Sequence, residues 1–139
     1  MPARNVSVLI LYNADGKLLL QHRTKDAPTF PDYWAFFGGG IEEGESPKEA
    51  VMRESLEELG YALTSPVFFR TLRIIYKGNE HTIHVFSEMY KGGKLILGEG
   101  QGMGWYAPHE TRELLVNDHD RLLLEQFGDS LPDRLAGCA

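Results

Sequence analysis

Cysteine is almost missing from this chain of 139 residues: Cys138 stands alone, next to the last position. A single thiol excludes an intramolecular disulfide and any Cys-based metal cluster, and one so close to a terminus reads as a bystander. Long apolar runs are missing too. No stretch approaches the roughly 18 residues that read as a membrane-spanning helix, and Met1-Pro2-Ala3-Arg4-Asn5 lacks the apolar core of a signal peptide. No membrane partner and a cytoplasmic location are therefore expected. Basic residues are in the minority, with 14 Lys and Arg against 20 Asp and Glu and a formal charge of −6. That balance argues against a nucleic-acid partner, whose phosphates call for clustered cations.

What is present is ordinary for a globular protein: 42% hydrophobic and 24% charged residues, in a length that one core can fill. A single domain over 1–139 is expected, with about 128–139 as a weakly ordered tail. Val6 to Tyr12 and Lys17 to Gln21 are apolar runs around Asn13-Ala14-Asp15-Gly16, which reads as a hairpin. The aromatic run Tyr33 to Phe37 predicts a short strand entering Gly38-Gly39-Gly40. Val67 to Tyr76 and His81 to Tyr90 predict two more strands, Lys94 to Leu97 a shorter apolar stretch, and Gly104 to Ala107 a last strand. Leu114-Leu115 and Leu122 to Leu124 with Phe127 suggest helical segments.

The acidic residues are concentrated between Glu42 and Glu58. Ser46-Pro47 followed by Glu49 predicts a helix start, with Ser46 as cap and Pro47 at the first helical position. The helix should run to about Leu59, where Gly60 supplies the stop. Glu54, Glu57 and Glu58 then project from one side, and Met52, Leu56 and Leu59 fall on the other, free to pack. Like charges at that spacing repel, and a hard divalent cation such as Mg²⁺ would relieve them. The bland alternative is a solvated face paired with Lys48 and Arg53. The glycine run leading into the helix favours a site, because it removes bulk where backbone must approach an ion or a phosphate.

From Gly39 onward these residues resemble the signature of the Nudix hydrolase family. Five residues separate Gly39 from Glu45 and seven separate Glu45 from Arg53, followed by Arg53-Glu54, Glu57-Glu58 and Gly60-Tyr61. Ser55 stands where the family usually has an aliphatic residue, and Phe37 where it usually has proline. The resemblance implies an α/β fold, the Nudix-type α/β/α sandwich with a mixed β-sheet. It implies that Glu54, Glu57 and Glu58 bind divalent metal, that the Gly38 carbonyl adds a ligand, and that Arg53 orients a carboxylate such as Glu45. Mg²⁺ is the expected cofactor, with Mn²⁺ as a substitute. Glu99-Gly100-Gln101 is similar to a distal segment of MutT-like members, which makes Glu99 a further metal candidate against an ordinary loop glutamate.

Three residues are candidates for substrate contact. Arg23 follows the second strand, near where MutT-like proteins place an arginine on phosphate, and is otherwise a surface side chain. Phe36, with Trp34 and Phe37, offers a stacking wall for a base or else builds core. Asn117 lies near an asparagine that reads the base in those relatives, and an amide suits a purine edge; alternatively it caps a helix beginning near Asp118.

The implied activity is hydrolysis of the diphosphate linkage in a nucleotide-like small molecule: a nucleoside triphosphate, with oxidised purine forms among the candidates. A dinucleoside polyphosphate or nucleotide-sugar hydrolase is the alternative within the family. A non-catalytic nucleotide-sensing module is the alternative outside catalysis, and the complete carboxylate set argues against it. A homodimer is compatible with the chain, whose oligomeric state the sequence leaves open.

Overall fold

A computed structural model describes residues 3–98 and 100–136. In chain order the elements are β1 (Arg4–Tyr12), β2 (Leu18–His22), β3 (Trp34–Ala35), β4 (Phe37–Gly40), α1 (Pro47–Leu59), β5 (Val67–Tyr76), β6 (Asn79–Met89), β7 (Gly102–Tyr106), a 3₁₀ helix (Pro108–Glu113) and α2 (Asp118–Ala136). The strands form one mixed, seven-stranded sheet of order β3-β2-β1-β6-β5, with β4 also on β1 and β7 also on β2. The fold is α/β. Among the described residues no helix is long and apolar enough to cross a membrane.

The chain divides into two compact units. The first contains the chain up to Ile10, Phe37–Glu88 and Gly92–Gly98. Here β4 runs antiparallel to β1 with Ser7 opposite Gly39 and Val8 opposite Gly38. α1 begins as its sequence dictates: Ser46 Oγ accepts from the Glu49 N–H at 3.0 Å, and the Glu49 carboxylate accepts from the Ser46 N–H at 2.9 Å. The Ser7 hydroxyl ties the first turn down by donating to the Pro47 carbonyl at 2.7 Å. Gly60 ends the helix at φ 64°, the left-handed conformation glycine adopts without cost. β5 and β6 form a hairpin through Lys77 and Gly78, both at positive φ, the turn geometry that matches strand twist.

The packing face of α1 differs from the expected one. Leu56 is exposed at 55%, whereas Ala50, Val51, Ser55, Glu58 and Leu59 are buried. A small hydroxyl at position 55 fits this arrangement, since Ser55 Oγ donates to the Tyr61 carbonyl at 2.7 Å and thereby helps close the end of the helix.

The second unit contains Leu11–Phe36, Met89–Lys91 and the chain from Glu99 on. β2 pairs with β7 from Leu18 opposite Tyr106 to His22 opposite Gly102, and Leu18 to Leu20 are fully buried. Of the expected tail at about 128–139, residues 128–136 are helical instead, since α2 continues through Gly128 and Pro132 to Ala136, and residues 137–139 lie outside the described residues. Burial overrides the local breakers, because Leu123, Leu124, Phe127 and Leu131 line one helical stripe and Phe127 meets Tyr12 with ring centroids 5.2 Å apart. Leu114-Leu115 is not helical; the 3₁₀ helix precedes it.

Candidate active site

In the first unit the signature residues converge on one guanidinium. Arg53 forks onto Glu45, Nε to Oε2 at 2.8 Å and Nη2 to Oε1 at 3.0 Å. Nη2 also donates to the Gly40 carbonyl at 3.0 Å, and Nη1 to Glu54 at 2.9 Å and to Glu57 at 3.1 Å. Five N–H groups therefore meet five acceptors, the full capacity of arginine. Glu42 lies 3.6 Å from the same Nη1.

The consequences are electrostatic. Hydrogen bonding to Arg53, with the Glu42 N–H second, holds the Glu45 carboxyl below its ordinary range. Glu45, followed by the opposing cost of burial and then by Glu54, pushes the Arg53 guanidinium above its ordinary value, so it stays charged.

Glycine lets the helix approach the strand. A Cβ on Gly39 would lie 2.5 Å from a Glu54 carboxylate oxygen, and one on Gly38 would strike the Ser7 carbonyl. The Gly38 N–H donates to Glu58 Oε1 at 3.1 Å. Glu58 is only 3% exposed, while the Glu57 side chain is 57% exposed and that of Glu54 13%. The structure thus brings Gly38, Glu45, Arg53, Glu54, Glu57 and Glu58 to the β4–α1 junction. Glu99 lies outside the described residues.

These donors fit a hard divalent cation in kind: carboxylate oxygens, partly desolvated, beside the three consecutive glycines of β4. Among the described residues no three His, Cys, Asp or Glu side chains surround a common point as a finished metal cage. Mg²⁺ does not need one, since it is held by one or two carboxylates together with waters and substrate phosphate oxygens.

The three substrate candidates lie in the second unit, and their surroundings differ from expectation. Arg23 is committed to its own loop, donating from Nε to the Thr29 carbonyl at 2.8 Å and from Nη2 to the Thr29 hydroxyl at 3.1 Å. Phe36 is 4% exposed and belongs to the core, the alternative to a stacking wall. Trp34 is the half-buried aromatic, stacked on His22 at 4.7 Å and 4°. Gln101 braces the same loop, donating to the Arg23 carbonyl at 2.7 Å and to Asp32 at 2.9 Å.

Asn117 is 5% exposed and caps α2, its Oδ1 accepting from the Asp120 N–H at 2.8 Å. Its Nδ2 faces Asp120 Oδ2 at 3.3 Å. Asn117→Ala should accordingly cost about 1 kcal/mol in urea denaturation. Measuring KM for a purine and a pyrimidine triphosphate in the same variant separates the roles: a selective rise for the purine assigns Asn117 to base contact as well.

Asp120 escaped the sequence reading. It is 4% exposed, and burial pushes its carboxyl up to about 7 against the lowering influence of Asn117, the Phe36 N–H and Arg23. The available signal was its position three residues after a capping asparagine.

The NUDIX domain family model matches residues 1–127 of the chain. Nucleoside triphosphatase NudI of Enterobacter sp. (strain 638) is 43% identical over 92% of this chain and 99% of its own length. CTP pyrophosphohydrolase of Escherichia coli (strain K12) is 30% identical over 86% and 88%. In fold, the MutT protein of Methanosarcina mazei Go1 superposes with a TM-score of 0.83 over 93% of this chain and 95% of its own, at 23% identity. With the signature gathered at the β4–α1 junction and the family model spanning nearly the whole chain, this protein belongs to the Nudix hydrolase family and has its α/β/α sandwich fold.

Proposed function

We propose that the chain is a Mg²⁺-dependent nucleoside triphosphate pyrophosphohydrolase, converting a nucleoside triphosphate and water to the monophosphate and pyrophosphate. The observation that carries this reading is the convergence of Glu45, Glu54 and Glu57 on Arg53, with Glu58 beside them on α1 and bonded to Gly38. Glu54, Glu57 and Glu58 would hold the cation, with the Gly38 carbonyl and Glu99 as further ligands and Mn²⁺ as a substitute. The bound cation supplies charge neutralisation at phosphate oxygens and a lowered pKa for water. Arg53 and Glu45 hold the carboxylates in place, and the glycines of β4 leave backbone open beside them. Resemblance to MutT-like members supports Arg23 and Asn117 as nucleotide contacts in addition to the loop and capping bonds they make here.

Two relatives whose names specify nucleoside triphosphates, one of them CTP, support the substrate class. Resemblance to MutT-like members supports including oxidised purines. The test is a panel of the common nucleoside triphosphates, 8-oxopurine triphosphates, a dinucleoside polyphosphate and a nucleotide sugar, assayed with Mg²⁺ and with products resolved by anion exchange. Monophosphate and pyrophosphate are expected. Release of orthophosphate and a diphosphate would overturn the bond assignment, and turnover of only the last two substrates would move the protein to the other branch of the family.

A further inference from the structure

The last carbonyls of any helix lack partners within the helix. In α1 two of them are taken by a segment far along the chain. The Gly98 N–H donates to the Glu58 carbonyl at 2.7 Å, and the Ile96 N–H donates to the Leu59 carbonyl at 2.9 Å. The two donors are alternate residues, as along the edge of an extended strand. This approach demands glycine at 98: a Cβ there would sit 2.6 Å from the Glu57 carbonyl and 3.2 Å from that of Glu58. At the other end, the Ile96 side chain covers Gly60, where an added Cβ would meet Ile96 Cδ1 at 3.7 Å.

The turn so held is the one whose side chains are Glu57 and Glu58. Gly60 and Ser55 close it from within, but those bonds join residues of the same local chain. Ile96 and Gly98 fix it from outside. We propose that Lys94–Gly98 is a brace for the carboxylate face, with Gly98 as a positioning residue: its contact with the backbone of Glu57 and Glu58 sets where those carboxylates stand. The proposal rests on the reading of Glu57 and Glu58 as cation ligands. If brace and cation favour the same arrangement, each stabilises the other by an equal factor.

That reciprocity can be read in the wild-type protein without substrate. Amide exchange of Ile96 and Gly98 is followed by NMR with and without saturating Mg²⁺, using amides of the β5–β6 hairpin as the reference for global stabilisation. Exchange at Ile96 and Gly98 should slow by at least about fivefold relative to the hairpin. In parallel, Gly98→Ala should weaken Mg²⁺ binding by about tenfold or more, while Ile96→Ala, which keeps both N–H donors, should stay within about twofold of wild type. If Mg²⁺ shifts the Glu57 and Glu58 resonances but the two amides slow no more than the hairpin, the brace is refuted and the cation reading stands. If Mg²⁺ shifts none of Glu54, Glu57 and Glu58, both fall. Should Gly98→Ala fail to fold, the wild-type exchange experiment decides alone.

Discussion

Glu57→Gln is expected to lower kcat at least about a hundredfold while leaving the circular dichroism spectrum and Tm near those of the parent protein. The side chain is 57% exposed, so an amide of the same shape disturbs little packing. It loses the charge that a divalent cation requires. Glu54→Gln and Glu58→Gln should lose activity similarly. Glu58 is the sharper structural control, because its amide oxygen can still accept from the Gly38 N–H and so keeps strand and helix together. Removal of divalent cations by a chelator should stop turnover in the parent protein, and added Mg²⁺ should restore it. Near-parental rates in all three variants would reduce the glutamate face to a solvated surface.

The second large effect concerns stability. With its carboxyl raised by burial from the ordinary 3.8 to about 7, Asp120 binds its proton more tightly in the folded chain than in the unfolded one. The folded state then holds more protons between those two values, and stability must fall as pH rises through that window. The contribution is fully present below about pH 4 and lost by about pH 7. At about 1.4 kcal/mol per pKa unit, the ceiling is about 4 kcal/mol. Asp120→Asn keeps the shape and cannot ionise, so its advantage over the parent protein should grow from pH 4 to pH 7 and then level off. Urea denaturation across that range measures it. His119 Nε2 lies 3.7 Å from Asp120 Oδ1, so the comparison is repeated in a His119→Gln background. Parallel stability curves in both backgrounds would show that Asp120 carries no such titration.

Much of the glutamate site was legible because its determinants are local. The capping pair of Ser46 and Glu49 and the stop at Gly60 depend on separations of a few residues along one helix and its approach, which chain geometry fixes directly, whereas the pairing of Arg53 with Glu45 was expected only from the family resemblance. The strands were legible for the same reason: β1, β5 and β6 are long β-branched or aromatic runs bounded by turn residues.

What stayed hidden depends on distant parts of the chain. Gly128 and Pro132 are local helix breakers, and the burial of Phe127 and Leu131 on the stripe of Leu123 and Leu124 carries the helix through them. A face assignment that puts leucines inside cannot know that Glu58 will find Gly38, and so it placed Leu56 inward. Phe36 and Trp34 are equally aromatic, and only the assembled fold encloses one while leaving the other half open. Arg23 looked free because its partner, Thr29, becomes a partner only through the backbone path of the loop between them.

The saturated guanidinium of Arg53 also explains why this motif is recognised by its spacing. A planar fork has fixed bond directions, and here it reaches the Gly40 carbonyl, the carboxylate of Glu45 and two carboxylates of its own helix at once. Those three stations lie on a strand end, a loop and a helix, so the chain between them must have just the length that lets each arrive. An inserted residue between Gly40 and Glu45 would leave every amino acid of the signature present and still deny one prong its acceptor. Lysine, with three donors on a single nitrogen, could not span the same stations. The intervals in the sequence are thus the shadow of one rigid, flat group, which acts as the ruler against which the loop is cut.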